Sequence, residues 1–302
     1  MDLPDFLEID KEKATEKIER FIRDYTLSLR RDGAIVGLSG GIDSSVVLKL
    51  CINALGKDRV LAAILPERDS DKAHMRDAIA LCRQLGNRYI FKKITIPVWA
   101  LGAYRLFPPA FLFPRSTIEK YVRKQMENIA DRLKQDPYSI NLQSMSDPQL
   151  AKYIAYARVK NRMRAAALFY YSELNNHLLV GSINKSEWLT GFFVKYGDGI
   201  ADIMPLSDLY KTQVKEIAEY LSLPDNILKK EPSPDLAGGL SDRDLLKLSY
   251  RQLDIVLAGI EKNLTFSHIA ELAGTGTEDV HRVSGIINKS EWLRQPPVDL
   301  KL

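Results

Sequence analysis

Cysteine and histidine are scarce in this sequence. Its 302 residues include two cysteines, Cys51 and Cys82, and four histidines. Neither a CxxC motif nor a Cys/His spacing typical of zinc ligands occurs, which argues against a structural zinc site and against a disulfide framework. Both cysteines lie in apolar stretches with helical spacing. We therefore expect them to be buried core residues rather than catalytic nucleophiles.

Long apolar runs and a strong excess of one charge are also lacking. No uninterrupted apolar segment approaches the roughly 18 residues of a membrane span, and the acidic N-terminal segment has no apolar signal-peptide core. The 43 basic and 39 acidic side chains give a formal net charge of +4. This small excess suits an anionic small molecule and lacks the basic stripe of a nucleic-acid-binding protein. We expect a cytoplasmic protein that contacts neither nucleic acid nor membrane.

Short apolar runs alternate with segments of helical spacing. Predicted strands cover residues 34–38, 60–65, 89–96 and 177–181, and predicted helices cover residues 10–31, 45–55, 71–85, 151–175 and 211–221. This alternation predicts an α/β fold with a doubly wound parallel sheet and right-handed crossovers.

Two regions depart from the alternating pattern. Residues 97–150 are rich in proline and aromatic residues and predict a helical insertion, and residues 225–302 predict a small helical C-terminal extension. We expect one α/β domain over residues 1–224 that carries the insertion, with the extension packed on the same domain.

A glycine-containing loop follows the first predicted strand and opens a helix. Paired glycines allow the backbone to approach a ligand, and the N–H groups of a helix N-terminus favour an anion. The loop is neither a Walker A motif nor a GxGxxG fingerprint. Because Asp43 would repel phosphate unless a cation lay between them, it is best explained as a Mg²⁺ ligand. The alternative is a tight turn whose polar residues only cap the helix. The loop residues are Gly37, Leu38, Ser39, Gly40, Gly41, Ile42, Asp43 and Ser44.

A second polar segment follows the last predicted strand. Residues 180–187 read VGSINKSE, residues 191–199 read GFFVKYGDG, and Asp202 and Lys211 come soon after. Charged residues alternating with glycines on a loop favour a binding site. A solvated loop is the alternative, but it would not require the interleaved aromatic residues.

Together these segments resemble a known family. The motif SGGIDSS at residues 39–45 looks like the pyrophosphate-binding loop of the N-type ATP pyrophosphatases, and the second segment resembles ammonia-dependent NAD synthetases. The resemblance implies an adenine nucleotide alpha hydrolase-like fold, ATP as co-substrate, Mg²⁺ and a homodimer. It also implies that the nicotinate carboxylate of deamido-NAD is adenylated with release of pyrophosphate, after which ammonia displaces AMP to give NAD.

The resemblance assigns roles to individual residues. Asp43, Glu187 and Lys211 match catalytic positions, and Asp43 and Glu187 match the ligands of Mg²⁺. Positions that contact ATP are residues 37–44, Ser182, Lys211 and Ser233, and positions that hold deamido-NAD are Arg162, Lys195 and Asp202.

Three segments differ from the family pattern and leave alternatives open. Residues 237–243, residues 291–297 and the insertion at 97–150 are all unlike the expected sequences. One rival is a paralogue that adenylates and amidates a different carboxylate, and another is a nucleotide-binding scaffold without catalysis. Since no amidotransferase segment is recognisable, ammonia would be free or supplied by a separate glutaminase partner.

Overall fold

The computed structural model describes residues 4–107, 147–230 and 246–300, together with residues 112, 113, 117, 120, 124, 128, 138 and 142. Most of the predicted insertion, Ser233 and the unusual segment 237–243 therefore lie outside the described residues. Within the described part, no helix is long and apolar enough to cross a membrane.

A parallel sheet forms the centre of the fold. Its strand order is β3-β2-β1-β4, and Ile35 of β1 lies opposite Leu61 of β2 and Leu179 of β4. All three are buried, as expected for strands covered on both faces. The strands are β1 (Gly33–Gly37), β2 (Val60–Ile64), β3 (Arg88–Phe91) and β4 (His177–Val180).

Eleven α-helices occur in the described part of the chain. They are α1 (Lys11–Ser28), α2 (Ile42–Leu55), α3 (Lys72–Leu85), α4 (Thr95–Ala100), α5 (Pro148–Leu174), α6 (Lys185–Thr190), α7 (Lys211–Tyr220), α8 (Asp225–Leu228), α9 (Tyr250–Glu261), α10 (Phe266–Ala273) and α11 (Thr277–Arg294). Short 3₁₀ helices cover Asp5–Leu7, Lys57–Arg59 and Ala103–Arg105.

Alternate strand residues face two different cores. Ala34 and Val36 pack with α1, α2, α3 and α7 in one apolar cluster, whereas Ile35 and Leu179 pack with α4 and α5 in another. Successive side chains of a strand point to opposite faces, so helices cover both sides of the sheet. The predicted doubly wound parallel sheet is confirmed.

The C-terminal helices have a third apolar core. Buried residues of α9, α10 and α11 pack with Leu7 and with Ile183 near the start of α6. Helix α9 also contacts α6 and α7, and α11 contacts α6. These helices therefore touch the elements that follow β4.

Two predicted element ends were wrong by several residues, those of the third strand and of the first helix. The strand predicted at 89–96 ends at Phe91, because Ile94 and Val98 are buried at helical spacing while Ile96 is 76% exposed. Pro97 lies in the first turn of α4, where a missing N–H is tolerated. Helix α1 ends at Ser28 rather than residue 31, since Arg30 has a left-handed φ of 53°, and Gly33 belongs to β1.

Candidate active site

The glycine loop lies between the carboxyl end of β1 and the N-terminus of α2. Helix α2 begins at Ile42, earlier than the predicted residue 45, and no side chain in the described part of the chain caps it. The Ser39 and Ser44 hydroxyl oxygens are 3.1 Å apart, and the Ser45 hydroxyl donates to the Gly41 carbonyl at 2.7 Å. This local network shapes a loop whose helix N-terminus can receive an anion.

Gly40 allows the loop to pack closely against α3. Its φ is +81°, and a Cβ at this position would lie 2.2 Å from the His74 carbonyl oxygen. A side chain here would therefore meet backbone that cannot easily move.

We expect Gly40→Ala to destabilise the protein more than Gly56→Ala. Gly56 has a similar φ of +83°, but its added Cβ would meet nothing within 4 Å. Left-handed strain alone should cost about 1–3 kcal/mol in each variant, and the collision with His74 should add to it only at Gly40. Thermal unfolding and the KM for ATP measure the difference. If both variants lose the same amount of thermal stability and the KM for ATP does not change, the close packing of Gly40 against the His74 carbonyl has no role.

Two carboxylates and one ammonium converge beside the loop. Lys211 Nζ lies 2.5 Å from Asp43 Oδ2 and 3.4 Å from Glu187 Oε1. Asp43 is in the first turn of α2, Glu187 is in the first turn of α6, and Lys211 opens α7. Three helix N-termini thus bring the three predicted catalytic residues together at one edge of the sheet.

Asn184 fixes the two carboxylates relative to each other. Its side-chain amide donates to Asp43 Oδ1 at 2.9 Å. Its side-chain oxygen accepts the Glu187 N–H, while Glu187 Oε2 accepts the Asn184 N–H, which completes a capping box. Asn184 belongs to the second polar segment, but its spacing alone does not predict the contact with Asp43.

A cavity of about 320 Å³ opens above these residues. Its lining includes the glycine loop except Gly40, together with Ser182, Glu187, Lys211, Leu65, Pro66 and Arg164. The volume is at the lower end of the range for small-molecule sites. The predicted phosphate loop, metal pair and lysine therefore share a single pocket.

Lys230 places a second cation beside the loop. Its ammonium donates to the Gly40 carbonyl at 2.9 Å and forms an ion pair with Asp77 of α3. Lys230 also lines the cavity. The sequence shows only a Lys-Lys pair before a proline, so this role was not predicted.

The residues predicted to hold the acid substrate lie elsewhere. Arg162, Lys195 and Asp202 are not among the described residues that line the cavity. Arg162 donates to the Lys195 carbonyl at 3.4 Å, Lys195 Nζ donates to the carbonyls of Trp292 and Gln295, and Asp202 accepts the Leu179 N–H. Arg162 and Lys195 are therefore close to each other, at the end of α11.

A buried charge cluster joins the loop after β2 to α5. Lys160 Nζ lies 3.2 Å from carboxylate oxygens of both Glu67 and Asp69. Tyr104 donates to Glu67 at 2.7 Å, and Tyr156 donates to Asp69. Burial raises the pKa of both tyrosines, so they remain protonated donors. Lys160 of α5 therefore forms an internal ion pair and does not present its charge to solvent.

The chain is similar to known proteins over most of its length. The model of the NAD synthase family matches residues 14–107 and 115–297. An NH₃-dependent NAD⁺ synthetase from Thermotoga neapolitana is 42% identical over 280 residues, which are 93% of each chain. A protein of the same name from Methanocaldococcus jannaschii is 33% identical over 286 residues, which are 95% of each chain.

Two solved structures share the fold. An NH₃-dependent NAD synthetase from Campylobacter jejuni, solved with a nitrate ion, has a TM-score of 0.67 and 25% identity, covering 97% of this chain and 100% of that chain. An NMN synthetase from Francisella tularensis has a TM-score of 0.73 and 24% identity, covering 98% and 100%. The fold is the adenine nucleotide alpha hydrolase-like fold.

Proposed function

The chain belongs to the NAD synthase family and is a ligase, and we propose that it amidates the nicotinate carboxylate of deamido-NAD. In the first step the carboxylate attacks the α-phosphorus of ATP and pyrophosphate leaves. In the second step ammonia attacks the acyl adenylate and AMP leaves, giving NAD. The observation that supports this proposal best is the convergence of Asp43, Glu187 and Lys211 beside the glycine loop.

The loop and two lysines bind the pyrophosphate part of ATP. Backbone N–H groups at the N-terminus of α2 face the anion, and the helix dipole adds to their attraction. Lys211 and Lys230 supply fixed positive charges on two sides of the loop. Groups already held in position therefore stabilise the negative charge that develops on the departing pyrophosphate. Such preorganised stabilisation is the main contribution that a protein makes to phosphoryl transfer.

Asp43 and Glu187 are the residues that would hold Mg²⁺. The fit rests on their sharing one cation already, the ammonium of Lys211. Among the described residues no group of three or more His, Cys, Asp or Glu side chains could hold a metal. Mg²⁺ is commonly bound by one or two carboxylates with phosphate and water oxygens completing its shell, so two carboxylates suffice. Bound there, Mg²⁺ would neutralise charge on the phosphate oxygens.

Neither cysteine can act as the nucleophile of a glutaminase. Cys51 and Cys82 are both buried, and burial raises the pKa of both thiols, that of Cys82 to about 11. Thiolate, rather than thiol, is the nucleophilic form. We propose that ammonia reaches the adenylate from solution or from a separate glutaminase partner.

Arg162, Lys195 and Asp202 remain the proposed contacts of deamido-NAD. Arg162 and Asp202 are exposed, and the Arg162 guanidinium donates to the Lys195 carbonyl outside the cavity lining. A dinucleotide that extends out of the ATP pocket could reach them, and we propose a homodimer that encloses its outer part.

Exchange of labelled pyrophosphate into ATP tests the adenylation step. With deamido-NAD and Mg²⁺ but without ammonia, we expect exchange that depends on the acid, because the acyl adenylate forms reversibly before ammonia acts. A shorter acid that lacks the adenylyl half of deamido-NAD serves as the comparison substrate. If only the shorter acid supports exchange, deamido-NAD is not the substrate, although the chain is still a ligase that adenylates a carboxylate. Formation of NAD with no exchange would overturn the adenylate-first order.

A further inference from the structure

Asp254 of α9 is fully buried and bonded to residues adjacent to Glu187 and Lys211. One of its carboxylate oxygens accepts the Ser186 hydroxyl at 2.5 Å, and the other accepts the Thr212 N–H at 2.8 Å. The Ser186 oxygen in turn accepts the Lys211 N–H at 2.9 Å. A single carboxylate therefore ties the N-terminal turn of α6 to that of α7.

The tied residues are direct neighbours of the proposed catalytic groups. Ser186 precedes Glu187, and Thr212 follows Lys211. Lys211 and Thr212 are the first two residues of α7, and their N–H groups have no partner within the helix itself. A negative charge at a helix N-terminus is also favoured by the helix dipole.

Stability alone is a weak reason for this arrangement. Asp254 is 0% exposed, and burial raises its pKa to about 6 despite its hydrogen bonds. Replacing buried ionic groups with apolar residues of similar size often leaves the folded protein equally stable or more stable. A buried carboxylate does, however, fix its hydrogen-bond donors in one geometry.

We propose that Asp254 is a positioning residue for the ligase reaction. Through Ser186 and the backbone of Thr212, it sets the distance between Glu187 and Lys211, so that the C-terminal helices determine the geometry of the pyrophosphate site. This inference rests on the roles proposed above for Glu187 and Lys211. Asp254 itself is not among the described residues that line the cavity.

The test compares Asp254→Asn and Ser186→Ala with Ser290→Ala. Ser290 is also fully buried and lies in α11, where its hydroxyl donates at 2.9 Å to the Leu189 carbonyl, near the C-terminal end of α6 rather than at its N-terminal turn. We measure kcat, the KM for deamido-NAD, the Mg²⁺ concentration that gives half-maximal activity, and Tm. Both test variants should lose about 10- to 100-fold in kcat and need more Mg²⁺, with the KM for deamido-NAD unchanged. Ser290→Ala should lower Tm and leave kcat intact.

The outcomes separate positioning from stability. If both test variants keep kcat per folded enzyme and lose only Tm, Asp254 is merely structural and the proposal is overturned. A fall in kcat beyond that of Ser290→Ala, in either variant, supports it. If Asp254→Asn does not fold, Ser186→Ala decides alone, since it removes one link in the chain of contacts. Glu187→Ala and Lys211→Ala are assayed in parallel, because retained turnover there would overturn the proposed roles themselves.

Discussion

Replacing Asp43 with alanine is expected to lower the rate of pyrophosphate release by about a thousandfold. Asp43 is one of the two carboxylates that would hold Mg²⁺, and it also holds Lys211 and Asn184 in position. Neutralising phosphate charge in this way is worth several kcal/mol, and about 4 kcal/mol corresponds to a factor of about a thousand. The measurement is steady-state release of pyrophosphate with deamido-NAD and ammonia.

Two further variants make this result specific. Asp43→Asn keeps the size of the side chain and removes its charge, so it should be nearly as slow. Asp225→Ala removes an exposed aspartate of α8 that forms an ion pair with Lys229. This variant should have the same turnover as the unaltered protein, because exposed ion pairs contribute little. Turnover of Asp43→Ala close to that of Asp225→Ala would exclude Asp43 from the mechanism.

Lys160→Met is expected to lower the free energy of unfolding by about 3–5 kcal/mol. The variant removes the ammonium that lies 3.2 Å from the carboxylates of the buried Glu67 and the partly buried Asp69. Because buried charge is poorly solvated, removal of one partner costs far more than the net stability that the intact pair contributes. Urea unfolding, followed by circular dichroism, gives the difference.

Lys185→Met is the matched control for this variant. Lys185 also pairs with two carboxylates, those of Asp208 and Glu261, but both of these are exposed to solvent. We expect a loss below about 1 kcal/mol there. If the two variants lose a similar free energy of unfolding, burial does not increase the contribution of the Lys160 ion pairs to stability.

The sequence was most informative where the signals are local. The apolar run of β2 depends on neighbours in the chain and was predicted close to its observed bounds. The glycine turn was correctly expected directly after β1, although α2 begins earlier than predicted. The error at 92–96 arose because a short apolar segment fits a strand or a helix equally well. Only the burial of Ile94 and Val98 on one face distinguishes the two.

Partners of charged residues were much harder to predict. That Asp43, Glu187 and Lys211 lie at one site could be predicted only because a family resemblance assigns all three to catalytic positions. Lys160, Lys230 and Asp254 carry no such signal, because their partners are chosen by tertiary packing across distant parts of the chain. Composition treats a buried lysine and a solvated one alike, so these contacts appear only in three dimensions.

The order of strands along the chain affects how the enzyme is made. Strand β1 pairs with β2 early in the chain, but its other neighbour, β4, is added only after α5. Asp43 and Lys211 are 168 residues apart, which at ribosomal rates separates their synthesis by roughly 10–30 s. Throughout that interval a nascent chain has its glycine loop without Lys211, so, on the roles proposed here, its ATP site stays incomplete until α7 has been made.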